Sequence, residues 1–176
     1  KKGEKLEDEN AALHAADELR HLIGLEFLNN SELRSAETGN AASIVSAFGP
    51  VRQALFNLQR NFALEPPGGA AGAILDGRDI GTVICPDADI KFFVTARAEI
   101  RAQRRARELY GEAWEEYYED MLQKTNERDK RDSERATAPL KAAKDAILLD
   151  TSALGPDETL AVALDQIRKN RPIAPG

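Results

Sequence analysis

Three short apolar runs, at residues 72–75, 90–94 and 146–150, constrain the fold of this chain most strongly. Each run is too short for a helix and is bounded by turn residues, which is typical of strands buried in a parallel sheet. Helical patterns follow the second and third runs, at residues 98–111 and 157–169. This alternation predicts an α/β fold, in which helices flank a parallel sheet.

The Asp76-Gly77 pair leaves a second interpretation of the first run open. An Asp-Gly dipeptide often forms the two-residue turn of a β-hairpin, which would return the chain as an antiparallel strand. The residues that follow, RDIGTVICPDAD at 78–89, do not alternate apolar and polar side chains as a half-buried return strand does. We therefore predict the parallel arrangement and keep the hairpin as the alternative.

The N-terminal part of the chain has helical patterns. Residues 7–28 place Ala and Leu at helical spacing, and a second helix is predicted to start at Ser31. Gly49-Pro50 is predicted to break the pattern before a third helix begins at Val51. EPPGGA at residues 65–70 then stops the third helix.

Composition excludes several classes of function. A formal net charge of −6 argues against a nucleic-acid polymer as partner, because such proteins usually present a broad cationic face. No apolar run approaches ~20 residues, so we predict no membrane span. The single Cys85 excludes a disulfide scaffold and favours a cytoplasmic location. The two histidines have no cysteine or paired carboxylate at ligand spacing, so no protein metal site is predicted.

Three arginines are concentrated on the helix predicted at residues 115–136. Arg128, Arg131 and Arg135 are three and four residues apart, which places them on one stripe of the helix. Acids at 127 and 132 could neutralise this stripe through ordinary surface pairs. A bound phosphate would satisfy the guanidinium groups better, because their planar forks bind oxyanions through two hydrogen bonds.

The segment Asp76-Gly77-Arg78-Asp79 follows the first predicted strand. The carboxyl ends of parallel strands form the ligand crevice of an open α/β sheet, so Arg78 is expected there, with an exposed turn arginine as the alternative. Together with the arginine stripe, this position predicts a small anionic ligand. The sequence contains no GxxxxGK[ST] loop, the segment that holds nucleoside triphosphates in P-loop enzymes.

The chain from about residue 30 to residue 170 resembles the bacterial cytidylate kinases, which transfer a phosphoryl group from ATP to CMP. Three segments carry the resemblance. The segments are DGRDIGTV with PDAD behind it at 76–89, RAQRR at 101–105 and NERDKRDSERATAPL at 126–140. The resemblance implies a P-loop kinase-like parallel sheet flanked by helices, with an acceptor-binding helical region and a mobile lid. We accordingly predict four regions, namely an acceptor-binding region (1–70), core strands and a helix (71–108), a lid (109–135) and a core strand with the C-terminal helix (136–176).

The resemblance also implies substrates and site residues. The acceptors are CMP and dCMP, with ATP as co-substrate and Mg²⁺. The protein is predicted to be a cytoplasmic monomer that acts in pyrimidine metabolism.

Cytosine presents an amino donor beside acceptors, which calls for a carboxylate or hydroxyl and a guanidinium together. The segment NAASIVSAFGPVR at 40–52 resembles the part of the family that grips the pyrimidine. The implied set comprises Ser43, Arg52 and Asp79 for cytosine; Arg78 and Arg135 for the phosphate; Arg128 and Asp132 for ribose or phosphate; Asp76 as a further acceptor contact; and Arg104 and Arg131 for ATP and the lid. Arg78, Arg128 and Arg135 are the predicted catalytic group.

Departures from the family pattern keep other functions open. Family members carry the phosphate loop at their N-terminus, so we expect the 176-residue chain alone to lack phosphoryl transfer. The alternatives are another small-molecule or nucleoside monophosphate kinase, and a non-enzymatic helical module that binds a protein. The segment YGEAWEEYYED at 110–120 places Trp114, Tyr117 and Tyr118 close together, where they either pack the lid or touch a neighbouring molecule.

Overall fold

A computed structural model describes residues 7–22 and 30–170 of the chain. The chain divides into two compact units. The first unit comprises Lys1–Ile80 and Arg131–Leu140, and the second comprises Gly81–Lys130 and Lys141–Gly176. Both units are discontinuous in sequence, because residues 131–140 return to the first one.

The first unit is built from helices. Its α-helices are α1 (Glu9–Leu22), α2 (Ala36–Val45) and α3 (Gly49–Leu64), with short 3-10 turns at Ser31–Arg34 and Pro67–Gly69. Helix α1 packs against α3, and one residue of each helix is buried, Ala16 in α1 and Val51 in α3. Three helices are present as predicted, although residues 23–28 of the first prediction lie outside the described residues. The predicted start of the second helix at Ser31 was wrong, because Ser31–Arg34 forms a separate 3-10 turn and Ser35 caps α2.

The prediction that Gly49-Pro50 lies before the third helix was wrong by two residues. The pair forms the first turn of α3, with Pro50 among its first two positions. Proline is well suited to that place, because the first N–H groups of a helix have no partner within the helix and the fixed φ of proline is already helical.

Residues 72–75 do not form the strand that their apolar character predicts. They are irregular in structure, and Ile74 is 97% exposed. A strand exists only through hydrogen bonds to a neighbouring strand. In the described part of the chain, the sheet contains two strands, and neither of them pairs with this segment. The alternative hairpin is not formed either; residues 80–84 make a π-helical turn instead.

The second unit contains the parallel sheet. Strand β1 (Phe92–Thr95) pairs in parallel with β2 (Ile147–Asp150), in the register Phe92 to Ile147 through Thr95 to Asp150. Each strand leads into a helix, β1 into α4 (Ala98–Tyr110) and β2 into α6 (Pro156–Asn170). The parallel α/β order is therefore confirmed for these two strands, within one or two residues of the predicted bounds.

Helix α5 (Tyr118–Glu134) follows α4 after a 3-10 segment at Gly111–Tyr117. Ala102 and Ala106 of α4 pack with Met121 of α5 in a small core that Tyr110, Leu109, Trp114, Tyr118 and Leu122 surround. The rings of Tyr110 and Tyr117 stack with centroids 3.9 Å apart, and Arg107 lies 4.6 Å from the centroid of Trp114. The aromatic segment thus packs its own helices, as the first of the two interpretations predicted. In the ranges described, no helix combines the length and apolar character that crossing a membrane requires.

Lys91 joins the two strands at their N-terminal ends. Its ammonium group is 2.6 Å from Asp145 Oδ2, just before β2, and it also donates to the Pro86 carbonyl oxygen. The Lys91 side chain is only 8% exposed, whereas that of Asp145 is 66% exposed. The hydrogen bond from Lys91 lowers the pKa of the Asp145 carboxyl below its ordinary value.

We predict that this contact makes the stability of the chain sensitive to acid. Because the folded pKa of Asp145 lies below the unfolded value of about 3.9, its contribution is complete above that value and is lost as the pH falls through the folded pKa. Asp145→Asn should therefore lower the urea midpoint at pH 6, and the difference from the unaltered protein should shrink as the pH is lowered below about 3.9. The same substitution in a Lys91→Met background is the control, and a pH-dependent difference that persists there would show that Lys91 is not the cause.

Candidate active site

Gly77 allows the loop after residue 75 to place Arg78 and Asp79 in the first unit. A Cβ atom on Gly77 would lie 2.9 Å from the Cγ1 atom of Ile80, closer than side-chain atoms normally approach. Any larger residue at position 77 would require the Ile80 side chain to move, so glycine permits this close approach without rearrangement. Asp79 is buried at 6% exposure, whereas Arg78 remains exposed.

Arg52 and Asp79 form a buried ion pair. Nη2 of Arg52, at the end of the first turn of α3, donates to Oδ2 of Asp79, and the two side chains are 16% and 7% exposed. Nη1 of Arg52 donates to the Ser46 carbonyl oxygen at 3.1 Å. A guanidinium and a carboxylate thus lie side by side with most of their solvent removed, and they are two of the three residues that the resemblance assigns to cytosine.

Asp132 is the second buried acid, with 3% exposure. Its Oδ1 accepts a hydrogen bond from the Ser43 hydroxyl at 3.1 Å, and its Oδ2 accepts one from Nε of Arg78 at 3.1 Å. The serine predicted to contact cytosine is therefore linked to Asp132, while Arg52 and Asp79 pair with each other. One carboxylate connects α2, the loop at residue 78 and the end of α5.

Arg131 also reaches α2. Its Nε lies 3.2 Å from the Ser43 hydroxyl, and its Nη2 donates to Oδ1 of Asn40 at 3.0 Å. The sequence assigned Arg131 to ATP and the lid, with Glu127 as its alternative surface partner. The structure instead places it against the polar face of α2, and Glu127 accepts a hydrogen bond from Gln123.

Arg135 has the most unusual environment of the arginines. Its Nε donates to the Ala138 carbonyl oxygen at 2.7 Å, and its Nη1 lies 3.4 Å from the Ser46 hydroxyl. Its Nη2 is buried and has no hydrogen-bond partner in the part of the chain that the structure describes. Burial lowers the pKa of the guanidinium most, Arg52 lowers it further, and the carboxylates of Asp132 and Asp79 partly oppose both effects.

Three other predicted site residues have surroundings of their own. Asp76 is exposed. Arg128 is on α5, one turn before Arg131, in the segment that belongs to the second unit. Arg104 of α4 donates to the carbonyl oxygens of Thr151 and Leu154 at 2.6 and 2.9 Å, so it holds the turn after β2, and its contact with ATP remains a prediction.

Sequence reasoning missed Asn40 and Ser46. Both belong to the small-residue segment at 40–52 that the sequence singled out, but nothing in their spacing distinguishes them from neighbouring alanines and serines. Ser46 is the residue after the end of α2, where the chain turns toward α3. Its contacts with two arginines arise from that turn, which only the folded chain reveals.

We name the arginine cluster by its members, Arg52, Arg78, Arg131 and Arg135, with Asp79 and Asp132 as its acids. Four guanidinium groups surround two buried carboxylates, so the cluster carries a formal excess of two positive charges. This excess of positive charge suits a dianionic phosphate, and so does Nη2 of Arg135, a buried donor with no acceptor among the described residues. The neighbouring hydroxyl and carboxylate can read the hydrogen-bonding edge of a base.

Comparisons with known proteins agree with this chemistry. The family model described as cytidylate kinase matches residues 8–169. A curated cytidylate kinase of Xanthobacter autotrophicus is 50% identical over 167 residues, which cover 95% of this chain and 76% of the relative. The cytidylate kinase of Rhodospirillum rubrum is 48% identical over 158 residues, covering 90% of this chain and 72% of the relative. The chain belongs to the cytidylate kinase family, and with it to the nucleoside monophosphate kinases of the P-loop kinase fold.

Proposed function

We propose that this chain binds CMP or dCMP in the arginine cluster and presents its phosphate to ATP, in the pyrimidine metabolism of the cytoplasm. The observation that carries the proposal is the buried Nη2 of Arg135, which has no acceptor within the described residues. An unpaired buried donor is costly, and a phosphate oxygen would satisfy it. The same anion would offset the positive charge of Arg52, which lowers the pKa of Arg135.

Each end of the nucleotide has a proposed set of contacts. Arg78, Arg131 and Arg135 hold the phosphate, and the role of Arg128 at the ribose or phosphate stays a prediction. Asp79, oriented by Arg52, accepts a hydrogen bond from the cytosine amino group, and Ser43 supplies a hydroxyl at the same edge. Uracil presents a carbonyl oxygen in place of the amino group, so Asp79 would face an acceptor without a proton between them.

The reaction itself requires no covalent enzyme intermediate. A phosphate oxygen of CMP attacks the γ-phosphorus of ATP, and the bond from that phosphorus to the bridging oxygen breaks, giving CDP and ADP. The arginines lower the negative charge on the acceptor and hold it in line for the attack. We further propose that residues 109–135 close as a lid and exclude water from this step.

Mg²⁺ enters as part of the ATP substrate in this proposal. Among the residues described, no group of three or more His, Cys, Asp or Glu side chains could hold a metal ion. Magnesium in kinases is held largely by substrate phosphates and water, with only one or two carboxylates. The residues described here therefore suit magnesium bound to nucleotide, and we assign no residue of this chain to it.

Binding of nucleoside monophosphates to the 176-residue chain tests the proposal. CMP and dCMP should raise the melting temperature, while UMP and AMP at the same concentration should raise it much less, because neither presents the cytosine edge to Asp79. Thermal shift measurements over a concentration series provide the comparison. Equal shifts with all four nucleotides would point to a site for phosphate alone, and strong binding of AMP or UMP only would indicate a different monophosphate kinase.

A further inference from the structure

Ser46 contacts two arginines of the cluster through two different groups. Its backbone carbonyl accepts a hydrogen bond from Nη1 of Arg52 at 3.1 Å. Its hydroxyl oxygen lies 3.4 Å from Nη1 of Arg135. The same hydroxyl donates its proton to the Ser43 carbonyl oxygen at 3.1 Å, so a lone pair of the oxygen remains for Arg135.

Two contacts fix the plane of the Arg135 guanidinium. Its Nε donates to the Ala138 carbonyl oxygen at 2.7 Å, and Ser46 holds Nη1. A guanidinium is planar and rigid, so two anchored nitrogens determine the direction of the third. The third nitrogen is the buried Nη2, which has no acceptor in the described part of the chain.

Ala138 supports this arrangement with an unfavourable backbone conformation. Its φ angle is +49°, in the left-handed region that residues other than glycine seldom occupy. Such a conformation persists when the surrounding structure enforces it, often at functional sites. Here it accompanies the carbonyl contact that anchors Nε of Arg135.

We propose that Ser46 is a positioning residue, whose hydroxyl sets Arg135 for the phosphate of the nucleotide while its carbonyl holds Arg52 beside the base. This inference rests on the proposed function, because it assumes that CMP occupies the cluster. It adds that two groups of Ser46 act on two different arginines, the hydroxyl on Arg135 and the backbone carbonyl on Arg52. Removing the hydroxyl should affect recognition of the phosphate, while the carbonyl that holds Arg52 remains.

Ser46→Ala in the 176-residue chain tests the inference. NMR titrations with CMP and with cytidine measure affinities down to the millimolar range. We expect Ser46→Ala to weaken CMP binding by about fivefold, the size of one hydrogen bond, and to leave cytidine binding unchanged. Ser46→Thr keeps a hydroxyl at the same place and should restore the CMP affinity to within about twofold.

Two controls separate positioning from loss of structure. Circular dichroism and thermal unfolding establish that Ser46→Ala is folded. In an Arg135→Met background, the substitution of Ser46 should have no further effect on CMP binding, because the group it orients is gone. This double-mutant cycle tests the coupling directly.

Several outcomes would overturn the inference. An equal loss of CMP and cytidine affinity would show that Ser46 supports the site as a whole. Unchanged CMP affinity in Ser46→Ala, or a further loss in the Arg135→Met background, would show that its hydroxyl does not act through Arg135. Absence of CMP binding in the unaltered chain would instead refute the proposed function, a result that the first titration distinguishes from the others.

Discussion

Arg135→Met is expected to weaken CMP binding about 100-fold, or roughly 2.7 kcal/mol, while the free energy of unfolding changes by less than about 1 kcal/mol. The affinity for CMP falls because the variant lacks both the positive charge of Arg135 and its Nη2 group, the donor proposed to bind a phosphate oxygen. Stability changes little because the substitution removes a buried charge whose pKa is lowered by burial and by Arg52. The relief of that cost offsets the lost contacts with Ala138 and Ser46.

Isothermal titration calorimetry with CMP and urea unfolding of the same preparation measure the two quantities. Arg168→Met is the matched control, because Arg168 is exposed on the last turn of α6 and should change neither. CMP affinity retained to within about threefold in Arg135→Met would remove this arginine from the proposed site. A large loss of stability would show that Arg135 serves mainly to hold the first unit together.

Asp132→Ala is expected to destabilise the chain by about 2–4 kcal/mol and to abolish measurable CMP binding. Asp132 is 3% exposed and joins the Ser43 hydroxyl to Nε of Arg78. Removing the Asp132 carboxylate leaves the buried Ser43 hydroxyl without its acceptor. It also raises the net positive charge of the arginine cluster by one. The estimate lies below the full cost of breaking a buried pair, because the Arg78 side chain is 41% exposed.

Asp129→Ala provides the control on the same helix. Asp129 accepts two hydrogen bonds from Arg101, but the two side chains are 40% and 37% exposed, so the pair should contribute up to about 1 kcal/mol. Urea unfolding followed by circular dichroism compares the two variants. Equal destabilisation by the two substitutions would contradict the special role of the buried carboxylate.

The helices were predictable because their evidence is local. Periodic apolar residues identified α4 and α6 to within one or two residues, and strands β1 and β2 were placed almost as well. Residues 72–75 illustrate the opposite case. Their composition resembles that of the two strands, but a strand depends on a neighbour that no local pattern can supply.

The candidate site divides in the same way. Spacing on one helix predicted the arginine stripe, and the segment at 76–79 predicted a charged loop near it. The hydrogen-bond partners of those arginines could not be predicted from the sequence in the same way. Arg131 was assigned to the lid and lies against Asn40 and Ser43, and Ser46 was not selected at all.

The sequence by itself determined the helices, the parallel order of two strands, and the kind of side chain available for an anion, because propensity, periodicity and charge are properties of neighbouring residues. Only the tertiary structure decided which carboxylate faces which guanidinium. Asp132 and Ser43 are 89 residues apart in sequence and meet at 3.1 Å. Because Asp132 is buried, this contact matters for stability: a charge removed from water must be satisfied by the groups that the fold brings to it.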